Sequence, residues 1–307
     1  MRAAAALTVV ALIVASCSDD GDDDFDAAEP TPLQTSSDGP SSAPSTDDAG
    51  SQLAEVCNQD ALSGDDDGFA FVAAHPVLNG GLGAPCLGEV NDTLIAAWNT
   101  LGSFSPPAQM DDIGVFSGFE PASDDAADTL AYVTALDADG AQFQMSVNLD
   151  AADLDGDELS LTLAHELTHV FTATPEQLDR TAEAIDNCIT YDNGDGCYLE
   201  DALMMGWIDE FWDPSVLATV DPFVDDQEAA DERCDLDAGF FGSYAATNPE
   251  EDFAEAFSAY VFGVEPATEG QRARLTWIDD QPGLAEFRER ADAAGLTPLP
   301  NTFDVCG

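Results

Sequence analysis

This 307-residue chain has no lysine, seven arginines and three histidines against 62 aspartates and glutamates, which gives a formal net charge of −55. So few cations leave a surface that repels a phosphate backbone, and nucleic acid is excluded as a partner. No internal repeat is visible. No Cys-x-x-Cys pair occurs, which argues against a cysteine-ligated zinc site. Three acidic clusters look like pieces of calcium loops: Asp65-Asp66-Asp67-Gly68, Asp153-Leu154-Asp155-Gly156-Asp157 and Asp192-Asn193-Gly194-Asp195-Gly196. None completes the twelve-residue EF-hand pattern with its closing glutamate, so they read first as acidic turns, with Ca2+ binding as the alternative.

What is present begins with an address. Met1-Arg2 precedes an apolar run from Ala3 to Ala15, too short to span a bilayer, and Val14-Ala15-Ser16-Cys17 places small residues directly before a cysteine. Residues 1–17 therefore read as a lipoprotein signal, with Cys17 as the lipidated first residue of an exported protein. Residues 18–51 are rich in Asp, Ser, Pro and Gly, have almost no large apolar side chains, and read as a disordered acidic tether. The remaining cysteines, Cys57, Cys86, Cys188, Cys197, Cys234 and Cys306, are even in number, as three disulfides in an oxidising compartment require. Cys188 and Cys197 flank a turn-rich stretch and should pair locally; the other four leave the connectivity open.

Two of the scarce histidines fall in His165-Glu166-Leu167-Thr168-His169. In a helix, residues four apart share a face, so His165 and His169 can offer two imidazole nitrogens to one metal ion. Glu166 can then take a proton from a water held by that metal, which lowers the water's pKa to about 7. Leu159, Leu163, Leu167 and Val170 recur at helical intervals on a side away from the histidines, which predicts an amphipathic helix with that side toward the core. A third histidine is missing where a metzincin would have one, since Thr172 and Pro175 stand at the required Gly and His. His75, beside Pro76 and outside any helical pattern, reads as a loop or surface residue, so the third ligand should be a carboxylate.

The segment Asn248-Pro249-Glu250-Glu251-Asp252-Phe253-Ala254-Glu255-Ala256-Phe257 supplies candidates on a second helix. Asn248 can cap it, Pro249 suits the first position, acids suit the positive end, and Phe253, Phe257 and Val261 form an apolar stripe. Glu251 and Glu255 share another face, where one can bind metal while the other orients a ligating histidine. Glu250 and Asp252 also stand as candidate ligands. The run from Gly242 to Phe257, together with His165 to His169, resembles the anthrax lethal factor-like zinc metallopeptidases and related bacterial peptidases, a group of glutamate zincins. That resemblance implies Glu251 as the third zinc ligand, Glu255 as its supporting carboxylate and Tyr244 as an oxyanion-stabilising phenol. It covers these two segments only.

About 256 residues, 52–307, suffice for one catalytic domain. Asn91 to Leu101 reads as a helix. Thr129 to Leu136 and Ala141 to Leu149 read as a hairpin around Asp137-Ala138-Asp139-Gly140. In its second strand Phe143, Met145, Val147 and Leu149 alternate with Gln142, Gln144, Ser146 and Asn148, which predicts a sheet with one buried face. By analogy with zincins, this strand could pair its edge with extended substrate. Leu199 to Phe211, Asn248 to Phe262 and Leu284 to Ala294 read as helices. The expected fold is α+β and zincin-like: a sheet-containing N-terminal lobe, a helical C-terminal lobe, and the metal cleft between them.

The expected function is a lipid-anchored, extracytoplasmic zinc metalloendopeptidase, a monomer acting on protein or peptide and touching membrane only through its anchor. A cell-surface binding protein on a zincin scaffold, or a zinc hydrolase of another amide bond, are the alternatives. The tether holds only a small share of the acids, so the folded part is itself strongly acidic, as in a protein adapted to salt. Its thermal stability should rise with added salt, as screening relieves self-repulsion. A steady fall from low to high salt in a melting series would contradict this.

Overall fold

Strands dominate the chain up to residue 148 and helices dominate after it. The computed structural model describes residues 68–152, 156–224 and 226–307. Strands β1 (Phe69–Leu78), β2 (Gly81–Leu82), β3 (Leu87–Gly88), β4 (Ile113–Pro121), β5 (Ala131–Ala135) and β6 (Phe143–Asn148) form one sheet. Its order is β2-β1-β4-β6-β5, with β3 also pairing β1. Every pairing is antiparallel except β4 with β6. The fold is α+β.

The expected hairpin forms as β5 and β6, with Ala131 opposite Val147 and Ala135 opposite Phe143. Its turn is closed by Asp137, whose Oδ1 accepts the N–H groups of Asp139 and Ala141. Gly140 follows at φ 69°, a left-handed backbone conformation that favours glycine.

Two expectations about β6 need correction. The strand is buried along its whole length, on both faces. Phe143, Met145 and Val147 join the main core, while Gln144 and Ser146 meet Ser117 of β4: the two hydroxyls lie 2.9 Å apart and Gln144 Nε2 donates to them at 3.1 and 3.0 Å. Polar residues on an enclosed face must satisfy one another, and these do. Because β6 lies between β4 and β5, it has no free edge for substrate; the edge on that side belongs to β5. His75 is likewise no loop residue. It is buried within β1, opposite Phe116, with Nδ1 2.8 Å from the Gly83 carbonyl.

The helices are α1 (Asp92–Phe104), α2 (Gly156–Thr172), α3 (Leu203–Phe211), α4 (Gln227–Leu236), α5 (Pro249–Val261), α6 (Glu269–Asp279) and α7 (Ala285–Ala294), with several one-turn helices between them. α1, α5 and α7 match expectation to within a few residues. α3 starts at Leu203 rather than Leu199, because Cys197–Tyr198 (β8) pairs with Leu178–Asp179 (β7) and Leu199 N–H bonds the Gln177 carbonyl. α4 and α6 escaped the sequence reading, since they bury only Ala230 and Cys234, and Gln271, Arg274, Leu275 and Ile278. So few apolar positions leave little periodicity to detect.

Cys188 pairs with Cys197 as expected, and Cys234 on α4 pairs with Cys306, tying down the C-terminal segment. Such pairs suit an oxidising, extracytoplasmic environment. Cys86 follows β2 with its N–H on the Ala74 carbonyl. Cys17, Cys57, the tether, Asp65 to Asp67 and Asp153 to Asp155 lie outside the described residues. Among those described, no helix is long and apolar enough to cross a membrane.

One large apolar cluster fills the space between the sheet's inner face and the helices. Phe257 of α5 is its aromatic hub, with the rings of Phe171, Phe253 and Phe287 at 5.4, 6.0 and 5.1 Å. Phe257→Ala should therefore cost about 3–5 kcal/mol, through lost transfer energy plus a cavity. Denaturant unfolding measures this, and a loss under about 1 kcal/mol would be inconsistent with a hub role.

Candidate metal centre

Helix α2 is more enclosed than an amphipathic helix. Leu163, Leu167 and Val170 are buried on the predicted side, but Leu161, Ala164, His165, Glu166 and Thr168 are buried as well. The helix runs between the sheet and α5, so polar groups on it must be satisfied locally or by α5. Thr168 and Thr172 return their hydroxyls to the carbonyls of His165 and Thr168. Ser258 of α5 donates its hydroxyl to the Leu161 carbonyl at 3.0 Å, which pins the two helices together.

α5 begins as its sequence predicts. Asn248 Oδ1 accepts Glu251 N–H at 2.9 Å, Pro249 takes the first position, and three acids occupy the positive first turn. This start aims Glu251 at α2. Its Oε2 lies 2.9 Å from His165 Nε2 and 3.6 Å from His169 Nε2, and the two imidazole nitrogens are 3.2 Å apart. The three ligand atoms all fall within 4.8 Å of one another.

The two imidazole nitrogens lie within hydrogen-bonding reach of each other, but Glu251 Oε2 is buried without an aligned donor. Three ligand atoms converging on one point, with the carboxylate oxygen left without an aligned donor, is the arrangement a metal ion completes, and two imidazoles with a carboxylate suit a first-row divalent ion. Among the described residues this is the group of His, Cys, Asp and Glu side chains that can hold a metal. Behind it, Glu255 Oε1 lies 3.1 Å from His165 Nδ1, where it fixes the ring so that Nε2 faces the site.

The electrostatics follow from burial against partners. Burial disfavours charge on His165, but its contacts with Glu251 and Glu255 outweigh this and lift its pKa well above the ordinary range. His169 is raised in the same way by Glu251. Burial also opposes ionisation of Glu251, yet the two imidazoles hold its carboxyl far below the usual carboxylate range. Glu166 is 1% exposed, neither carboxylate oxygen has a partner, and burial raises its pKa despite the nearby imidazoles.

Tyr244 opens a single 3-10 turn, Tyr244–Ala246, just before α5, and its ring centre lies 5.9 Å from that of His165. Arg233 on α4 straps this turn, donating Nε to the Ala246 carbonyl at 2.5 Å and Nη2 to that of Thr247 at 2.9 Å. One cation thus holds the approach to both Tyr244 and the α5 cap.

The neighbouring acids are engaged elsewhere. Glu250 faces the Tyr198 hydroxyl and is pushed up to about 7, chiefly by burial. Asp252 meets two tryptophans and an arginine. Of the candidate acids of α5, Glu251 is therefore the one placed as ligand, with Glu255 behind His165. In the Asp192 to Gly196 stretch, Asp192 accepts Gly194 N–H, and Asn193 accepts those of Asp195 and Gly196, which are the bonds of an acidic turn.

The sequence reading missed Arg233, Tyr198 and the partners of Asp252. A signal existed for Arg233: in a chain with seven cations, a lone arginine amid acids carries unusual weight. Comparison with family models, with curated proteins and with solved structures finds no match.

A raised His165 keeps its proton at neutral pH, so the ion-pair contribution to metal-free stability is complete below about pH 6.5 and fades as pH rises through the raised value. The depressed Glu251 contributes above about pH 4.5 and loses its share as pH falls through its lowered value. A metal must displace the imidazole proton. Titration calorimetry in two buffers of different ionisation enthalpy should thus show proton release at about pH 7, with affinity weakening toward lower pH. Uptake with no proton release would contradict this protonation state.

Proposed function

We propose that this protein is an extracytoplasmic zinc metalloendopeptidase of the glutamate-zincin type, held to the membrane through lipid on Cys17. The observation that carries the proposal is the convergence of His165, His169 and Glu251 beside a buried carboxylate, Glu166, whose oxygens have no partner. Zinc held by these three side chains would supply a Lewis acid that acidifies water and polarises a peptide carbonyl.

The chain's own residues account for the rest. Glu166, its basicity raised by burial, accepts the proton of the attacking water and hands it to the leaving amine. An unpartnered carboxylate in a buried setting is suited to this, because nothing competes for its lone pairs. Tyr244, packed beside His165, donates its phenolic hydrogen to the carbonyl oxygen as that oxygen becomes negative. Glu255 holds the His165 ring through Nδ1 and favours its metal-ligating form. A helix-borne site packed against the β5–β6 hairpin supports the zincin-like reading, and the outer edge of β5 suits extended peptide.

Assay of a diverse peptide mixture tests this directly. Glu166→Gln should retain stoichiometric zinc and lose about 10²–10⁴-fold in cleavage rate, while Tyr244→Phe should lose about 10²-fold in kcat with KM little changed. Zinc bound without Glu166-dependent cleavage would favour a binding role, and absence of stoichiometric metal would end the proposal.

A further inference from the structure

Asp252 follows the ligand Glu251 in sequence, yet it faces a different set of partners. It is fully buried, and its Oδ2 accepts the indole N–H groups of Trp207 and Trp212, each at 3.0 Å. Its Oδ1 accepts Arg274 Nε at 2.8 Å. Arg274 is itself buried, lies against the rings of Phe211 and Phe240 at 5.1 and 4.7 Å, and reaches Asp237 with Nη2 at 3.4 Å. The carboxylate is thus held by three donors from α3, from the residue that ends it, and from α6.

Consecutive helical residues are separated by about 100° of rotation. Glu251 therefore points toward α2, while Asp252 points toward α3 and α6. Fixing the direction of one sets the other, because both belong to the same rigid first turn of α5. The Glu251 side lacks such fixation: its Oε2 has no aligned donor.

Stability alone is a weak reason for this arrangement. Replacing a buried ion pair by apolar side chains of similar volume is often neutral or stabilising, whereas directional bonds from three rigid donors specify an orientation. We infer that Asp252 is a positioning residue for the metal centre, its clamp of Trp207, Trp212 and Arg274 setting the rotation of α5 that brings Glu251 to His165 and His169. The inference rests on the reading of those three residues as a metal site.

The test is zinc affinity of the folded full chain, measured by competition with a chromophoric chelator, with melting recorded for each protein. Asp252→Asn should weaken zinc binding about tenfold or more. Leu94→Ala, a core variant on α1, which carries none of the site's residues, controls for lost stability and should bind within about threefold of wild type. Should Asp252→Asn fail to fold, Arg274→Lys keeps the charge but loses the Nε bond, and a severalfold weakening is expected. A folded Asp252→Asn or Arg274→Lys protein that binds zinc as tightly as wild type overturns the positioning role, leaving the metal centre standing. So does an equal loss in Leu94→Ala. A wild-type chain that binds no zinc overturns both.

Discussion

Helices α2 and α5 bury polar faces against each other, and the buried His165 imidazole is held by carboxylates of the opposing helix, while Glu166 is left without a partner. His165 meets Glu251 through one ring nitrogen and Glu255 through the other. Glu251 and Glu255 lie four residues apart, so a single face of α5 serves both sides of one imidazole ring. The Ser258 bond to the Leu161 carbonyl and the aromatic cluster around Phe257 hold that face in register. The sheet enters the same constraint from the other side, since β5 packs against α2.

The scarcity of cations shapes the rest. Arg180 donates to the Ala173 carbonyl just beyond α2, Arg290 to the Gly102 carbonyl in the last turn of α1, and Arg233 to the carbonyls at the end of the turn before α5. These are the negative ends of helical segments, where a guanidinium satisfies orphan carbonyls and opposes the dipole. Arg274 neutralises a buried aspartate instead. A chain with 62 acids thus commits much of its positive charge to holding backbone in place, while few of its described acidic side chains are buried. Structural rigidity and surface repulsion come from the same composition.

How much of this was legible depended on the range over which each feature is decided. The His165 to His169 spacing, the Asn248 cap with Pro249, and the Cys188–Cys197 loop involve residues within about ten positions, where helix geometry and turn chemistry dominate. β6 was misread because its alternating pattern says only that one face is apolar. That the polar face is also enclosed depends on Ser117, far upstream and brought alongside by a parallel pairing. His75 was misplaced for a related reason, since a strand in mid-sheet can bury a histidine that no local pattern marks.

The sequence by itself determined the chemistry available: two histidines on one helical face, a glutamate beside them, and a capped acidic helix with carboxylates four apart. It could not choose among Glu250, Glu251, Asp252 and Glu255 from their own pattern, because acids on one short helix are distinguished only by what each faces. The tertiary structure made that choice, directing Glu250 to Tyr198, Asp252 to Trp207, Trp212 and Arg274, and Glu251 to the imidazoles. The physical reason is rotation: about 100° per residue sends neighbouring side chains to different partners, and only packing fixes where the first of them points.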